Sequence, residues 1–224
     1  PDPGFGVQID GIELRHVVTL GADTRLAIPN YVWHVISHET GHLWGLPDLY
    51  LFAGSGLDVH VPVSGWDNMG WIRFGAHFTA WQKRKLGWIL PAEFDCVTDQ
   101  VRYVELAPLE GTTGIRGLAV QTGPSKAIVA EVRRPIGHDA RLCDQGLLVY
   151  TVDSQIATGA GPLVVQRAVA DSDAARRQQC GPGYNATFNT TGGKPSTFRD
   201  AASGVTFEIL GVTAGGGMHI RVTN

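Results

Sequence analysis

Residues 38–50 read HETGHLWGLPDLY, and the rest of the chain is organised around them. On a helix, this HExxH core sets His38 and His42 four residues apart, so both imidazoles leave one face about a turn from each other. That spacing lets them share one tetrahedral metal ion, while Glu39 between them can hold a water beside it. Gly45 stands where the helix has to stop, because glycine takes the left-handed conformation cheaply, and Pro47 bars further helix. The chain turns there, and Asp48 can swing back as a third ligand. An isolated HExxH also occurs on ordinary helix surfaces; extended by glycine and aspartate, it is a far more specific signal.

Ahead of this stretch, Asn30 is placed to cap a helix starting at Tyr31. Val32, Ile36 and Leu43 fall on one stripe, with Trp33 and Val35 beside it, and that stripe is expected to be buried while His38 and His42 face a cleft. His34 precedes His38 by one further turn, too far along a straight helix for the same ion, and is read as lying behind the ligands or on the surface. Earlier still, Asp10-Gly11 is a two-residue hairpin signal, with Ile12, Leu14, Val18 and Leu20 forming a short sheet. An extended strand beside a cleft can pair with a peptide substrate, although scaffold is the commoner role.

Downstream, the glycine-rich loop 51–65 carries Asp58 and His60, which could touch metal or substrate. Ser64-Gly65-Trp66-Asp67-Asn68-Met69-Gly70 is a tight turn whose methionine suits an apolar floor beneath a metal–imidazole cluster. Thr79 caps a helix through Trp81 to Leu86, closed by Gly87, with Lys83, Arg84 and Lys85 complementing its dipole.

Taken in order, HETGHLWGLPDLY, SGWDNMG (64–70) and HFTAWQKRKLGWI (77–89) resemble the immune inhibitor A type of secreted bacterial zinc metallopeptidases, which are metzincin-related. The snapalysin-type core HETGHxxGLPD is a weaker match. The resemblance implies zinc on His38, His42 and Asp48, Glu39 as catalytic base, Met69 in the Met-turn, peptide substrates, and a propeptide or inhibitor as further partner. It covers residues 12–92 well. Only 29 residues precede the helix, so the amino-terminal subdomain is expected to be shortened.

From Val101 the pattern changes. Residues 101–106, 117–121, 126–133, 146–152, 163–169, 205–210 and 218–222 each look extended between Gly, Pro, Asp or Ser turns, which suggests a β-sandwich or open barrel. The expected fold is therefore α+β: a metzincin-like zinc region over 1–92, with an active-site helix and short sheet, then an all-β sandwich-like region over 93–224. No recognisable chemistry marks this second region. Asp139, Asp144, Asp153 and Asp171 include conceivable calcium ligands, but no EF-hand spacing is present and turn aspartates are the better reading. Cys143 and Cys180 could pair, leaving Cys96 free and buried. Asn185 and Asn189 begin sequons in a polar stretch read as an exposed loop.

Composition bounds the rest. A chain of 224 residues with 43% hydrophobic and 17% charged residues is globular, and a formal charge of −3 without long basic runs argues against nucleic acid. No apolar run approaches the roughly 20 residues of a membrane span. The chain starts at Pro1 without an initiator methionine or signal sequence and is read as a processed, secreted protein. The expected activity is zinc-dependent hydrolysis of peptide bonds. The competing reading is a non-catalytic fragment or binding module whose zinc is structural or latent, its fourth position closed by His60 or Asp58.

Overall fold

Nine of the strands build two sheets in the second half of the chain. They are β3 (Phe94–Val97), β4 (Val101–Leu106), β5 (Gly117–Gln121), β6 (Lys126–Arg133), β7 (Gly146–Asp153), β8 (Leu163–Gln166), β9 (Thr197–Arg199), β10 (Thr206–Val212) and β11 (Met218–Thr223). Four of them form a sheet in the order β4-β11-β10-β9, and five form one in the order β3-β5-β6-β7-β8. Every pairing is antiparallel except β3 with β5. This is the computed structural model of the chain; it describes residues 7–14, 18, 20, 21 and 31–224. The Asn30 cap and most of the stretch from 15 to 30 lie outside the described residues.

The five-stranded sheet is buried on both faces, which is why β6 and β7 read as near-continuous apolar runs. Side chains alternate along each strand. Leu118, Ile128, Ala130, Val149 and their neighbours meet Phe207 and Ile220 of the four-stranded sheet in one core. Ala119, Val129, Leu148 and Tyr150, on the opposite face, pack with Leu49, Met69, Phe78 and Ile89 in another. Residues 46–89 thus form a layer on the sheet, and a shared core runs across the expected 92/93 division. The whole is mixed α+β, mostly sheet with few helices.

Near the amino terminus, β1 (Val7–Ile9) and β2 (Ile12–Leu14) pair as an antiparallel hairpin through Asp10 and Gly11. Both turn residues have positive φ (52° and 79°), as a type I′ turn demands. The helices are α1 (Val32–Leu43), α2 (Ala80–Lys85) and α3 (Ala174–Cys180). Thr79 caps α2 by accepting from the Gln82 N–H, and Gly87 follows at φ 74°. Lys83 departs from its expected role: it is buried and folds back onto His77 rather than lying in solvent at the helix end.

Candidate metal centre

Helix α1 ends as its sequence dictates. The Gly45 N–H donates to the His42 carbonyl (2.9 Å) and the Leu46 N–H to the Gly41 carbonyl (3.0 Å), with Gly45 at φ 82°. This double closure satisfies two of the last carbonyls and reverses the chain. Asp48 arrives against the helix it has just left. The expected apolar stripe is not what holds α1 down. Leu43 and Trp33 are exposed, Val32 and Ile36 half-buried, and the buried positions are His38 and Gly41. The helix packs through its ligand-bearing side, because a glycine there lets another segment approach closely.

The three expected ligands come together. His38 Nε2 and His42 Nε2 lie 3.0 and 3.2 Å from Asp48 Oδ1, and their rings are perpendicular with centroids 4.8 Å apart. His38 Nδ1 donates to the Asn68 carbonyl (2.9 Å) and His42 Nδ1 to the Leu46 carbonyl (2.8 Å). A carbonyl only accepts, so in each neutral ring the proton sits on Nδ1 and a lone pair sits on Nε2. Two lone pairs and a carboxylate then face one another across about 3 Å. They hold together only around a positive charge. Bonds of about 2.1 Å in a tetrahedral zinc site separate ligand atoms by about 3.4 Å, close to the spacing found, so the donor set fits zinc.

Without a metal, that charge is carried by protons. Burial disfavours a charged His38, but contact with Asp48 outweighs it and its pKa is raised. His42 is raised first by its hydrogen bond to Asp48. Burial would push Asp48 upward, yet the two imidazoles hold it far below the usual carboxylate range. No fourth His, Cys, Asp or Glu joins these three among the described residues.

Beneath the ligands lies Met69, fully buried. A Cβ placed on Gly41 would stand 2.7 Å from its Sδ, so the thioether occupies the space that glycine leaves between the two histidines. The buried Asp67 carboxylate fixes this turn, accepting from the Met69 N–H (2.7 Å) and the Thr79 N–H (2.6 Å). Burial raises its pKa to about 6 despite those bonds. Asn68 joins the turn to the helix: its carbonyl takes His38 Nδ1 and its amide donates to the His34 carbonyl (2.8 Å). His34 itself donates from Nδ1 to the Ile72 carbonyl (2.7 Å) and does not join the converging group.

Glu39 is half-buried, and its charge acts on both His42 and Tyr50, which puts it next to the site. Tyr50 was not singled out from the sequence, although it stands two residues after Asp48. Its ring lies 6.3 Å from that of His38, and burial first, then the Asp48 charge, raise its pKa. His60 and Asp58 are engaged elsewhere. His60 stacks on Trp71 (4.4 Å) and bonds the Gly70 carbonyl, while Asp58 pairs with Arg177 (2.9 Å).

The second half of the chain does contribute to this centre, contrary to expectation. In the β7–β8 connection, the Thr158 hydroxyl accepts from the Asp48 N–H (2.8 Å) and lies 3.5 Å from Asp48 Oδ2. The adjacent Gly159 N–H donates to the Asp48 carbonyl. A second link is ionic. Arg133, fully buried on β6, bonds Glu131 (2.9 Å), Asp139 (2.7 Å) and the Trp66 carbonyl (2.7 Å), while Glu131 accepts from the Ala80 N–H (2.6 Å) and the Tyr150 hydroxyl (2.7 Å).

Other expectations divide. Cys143 and Cys180 form the disulfide, but the free Cys96 is exposed, because it points outward from the edge strand β3. The sequon stretch is exposed only in its later part: Thr190 to Gly193 are exposed, whereas Tyr184, Ala186, Thr187 and Phe188 are buried, with Thr187 bonded to Asp144. The four aspartates do not converge on one another. Asp139 pairs with Arg133, Asp144 with Lys194, Asp153 accepts from Ser125, and Asp171 pairs with Arg167. No helix among the described residues is long and apolar enough to cross a membrane. No protein-family model matches the chain, and no curated protein matches it.

Proposed function

We propose that this chain is a secreted zinc-dependent endopeptidase of the metzincin-related, immune inhibitor A-like kind. The observation that carries the reading is the convergence of His38 Nε2, His42 Nε2 and Asp48 on one point, with both Nδ1 protons committed to carbonyls and no fourth protein ligand among the described residues. A structural zinc site would close its fourth position with a side chain, whereas a catalytic one leaves it to water.

Bound there, zinc would supply an acidified water and positive charge for the scissile carbonyl oxygen. Glu39 takes a proton from the attacking water and delivers it to the leaving amine. Tyr50, kept protonated by burial and the Asp48 charge, donates a hydrogen bond to the carbonyl oxygen as negative charge develops. Asn68 and Leu46 fix the two imidazole tautomers through their carbonyls. Met69 fills the floor.

The test pairs metal content with cleavage of casein, with and without a zinc chelator. One zinc per chain and chelator-sensitive cleavage are expected. Glu39→Ala should keep the metal and lose turnover; peptidase activity retained in that variant would sink the assignment.

A further inference from the structure

A cluster of cationic and imidazole side chains outside the metal centre is not used by this mechanism. Lys83, buried in α2, donates to His77 Nδ1 at 3.0 Å. An ammonium is a donor only, so the His77 ring accepts at Nδ1 and carries its proton on Nε2, at the opposite edge. The exposed His138 ring stands perpendicular to that of His77 with centroids 5.1 Å apart. Arg141, one turn of the same 137–141 segment further on, lies over the Tyr31 ring at 5.8 Å. Among the described residues no carboxylate pairs with it.

The acids packed behind the cluster are spent on other partners, Glu131 on Arg133, the Ala80 N–H and Tyr150. Asp139 is fully buried, with one oxygen taking the main-chain N–H of His77 (2.9 Å) and the other the Arg133 guanidinium (2.7 Å). Burial, then the Lys83 charge, press the His77 pKa down to about 4, and burial, then Arg133, press Lys83 down to about 8. Burial and neighbouring positive charge together outweigh the opposing pull of Asp139 and Glu131.

The cluster also lies against the start of the helix that carries His38 and His42. Tyr31 immediately precedes α1 and His34 lies in its first turn, one turn, about 6 Å along the axis, before His38. His34 is close enough to His138 and Arg141 to feel both charges.

From this geometry we infer that His77, His138 and Arg141, backed by Lys83, form a carboxylate subsite that receives an acidic side chain of the peptide substrate. Arg141 supplies a permanent charge and a planar pair of donors, and His77 presents an N–H polarised by the ammonium behind it. The inference rests on the peptidase reading for the identity of the ligand, but the anion site itself does not.

Two measurements separate the two. First, glutarate is titrated at pH 7 and constant ionic strength into histidine-labelled protein, with the His77 and His138 ring resonances followed by NMR. A saturable shift is expected, weakened about tenfold in Arg141→Gln. This needs neither metal nor turnover, so it survives a failure of the zinc assignment. Resonances that do not respond to glutarate overturn the subsite. Second, zinc-loaded Glu39→Gln is offered a peptide set in which a single Glu is scanned against Gln at each position. About tenfold tighter binding of Glu at one position, abolished by Arg141→Gln, is expected. Equal binding of the Glu and Gln peptides at every position, with glutarate still bound, would confine the cluster to free anions and overturn its assignment to substrate.

Discussion

Replacing Thr158 by valine tests whether the β-rich half shapes the metal centre. The substitution keeps the β-branched shape and removes the hydroxyl that accepts from the Asp48 N–H at 2.8 Å. The second contact, to Oδ2 at 3.5 Å, is at the limit of a hydrogen bond and contributes little. Partners behind a metal ligand typically change affinity by about 10- to 100-fold when lost. Here the strong bond is to the main chain of the ligand rather than to its carboxylate, so the lower end applies. The expected loss of zinc affinity is about tenfold, or about 1.4 kcal/mol, read by competition with a fluorescent chelator. Thr158→Ser should restore most of it, and circular dichroism should show both variants folded. Zinc affinity unchanged in folded Thr158→Val would refute the idea that this loop positions Asp48.

Three further outcomes follow from the packing. Gly41→Ala gains about 1 kcal/mol of helix propensity but forces Met69 aside, at about 1–3 kcal/mol. Urea unfolding should therefore show no gain in the wild type and a gain of about 1 kcal/mol in a Met69→Ala background; the same effect in both would mean the two do not touch. Replacing Cys143 and Cys180 by alanine opens a loop of 37 residues and should lower stability by about 3–4 kcal/mol. A change below 1 kcal/mol would mean the loop is ordered without its bond. His77 supplies a pH test. Its pKa in the fold, about 4, is below the usual 6.5, so between those values the unfolded chain binds the proton and the fold does not. The stability advantage of wild type over His77→Gln is then full above pH 6.5 and lost as pH falls towards 4, by about 2 kcal/mol once solvent screening is allowed for. A gap independent of pH contradicts the burial argument.

The strands were readable where β-branched runs are bounded by turn residues: β4, β5 and β6 lie where the alternation and glycines place them. The short β9 was not readable, since three residues carry no pattern. Nor was α3, whose sequence AARRQQC is polar around its circumference and has no buried residue to create a period. It stays in place through the disulfide and the Arg177–Asp58 pair, which are long-range. For α1 the apolar stripe misled, because the helix turns His38 inward and packs through Gly41. The three converging residues were local, within eleven residues from His38 to Asp48, and so was the turn that assembles them. Thr158 is 110 residues from Asp48, and no spacing rule connects them.

The ionic layer between the two halves explains why that long-range contact can be held. On β6, Val129 and Val132 point to opposite cores, and Glu131 and Arg133 share the metal-side face with Val129. A slip of one residue would turn both charges into the apolar core shared with the four-stranded sheet, so the register is strongly specified. Taking these groups out of water is costly, and their mutual attraction need not add net stability. What they supply is position. Glu131 holds the Ala80 N–H and Arg133 the Trp66 carbonyl, at the two ends of the segment that carries Met69. Asp67 then closes that segment on itself through Met69 and Thr79. The floor of the candidate metal centre is therefore pinned to the same sheet whose β7–β8 connection carries Thr158, so Met69 and Asp48 share one rigid reference.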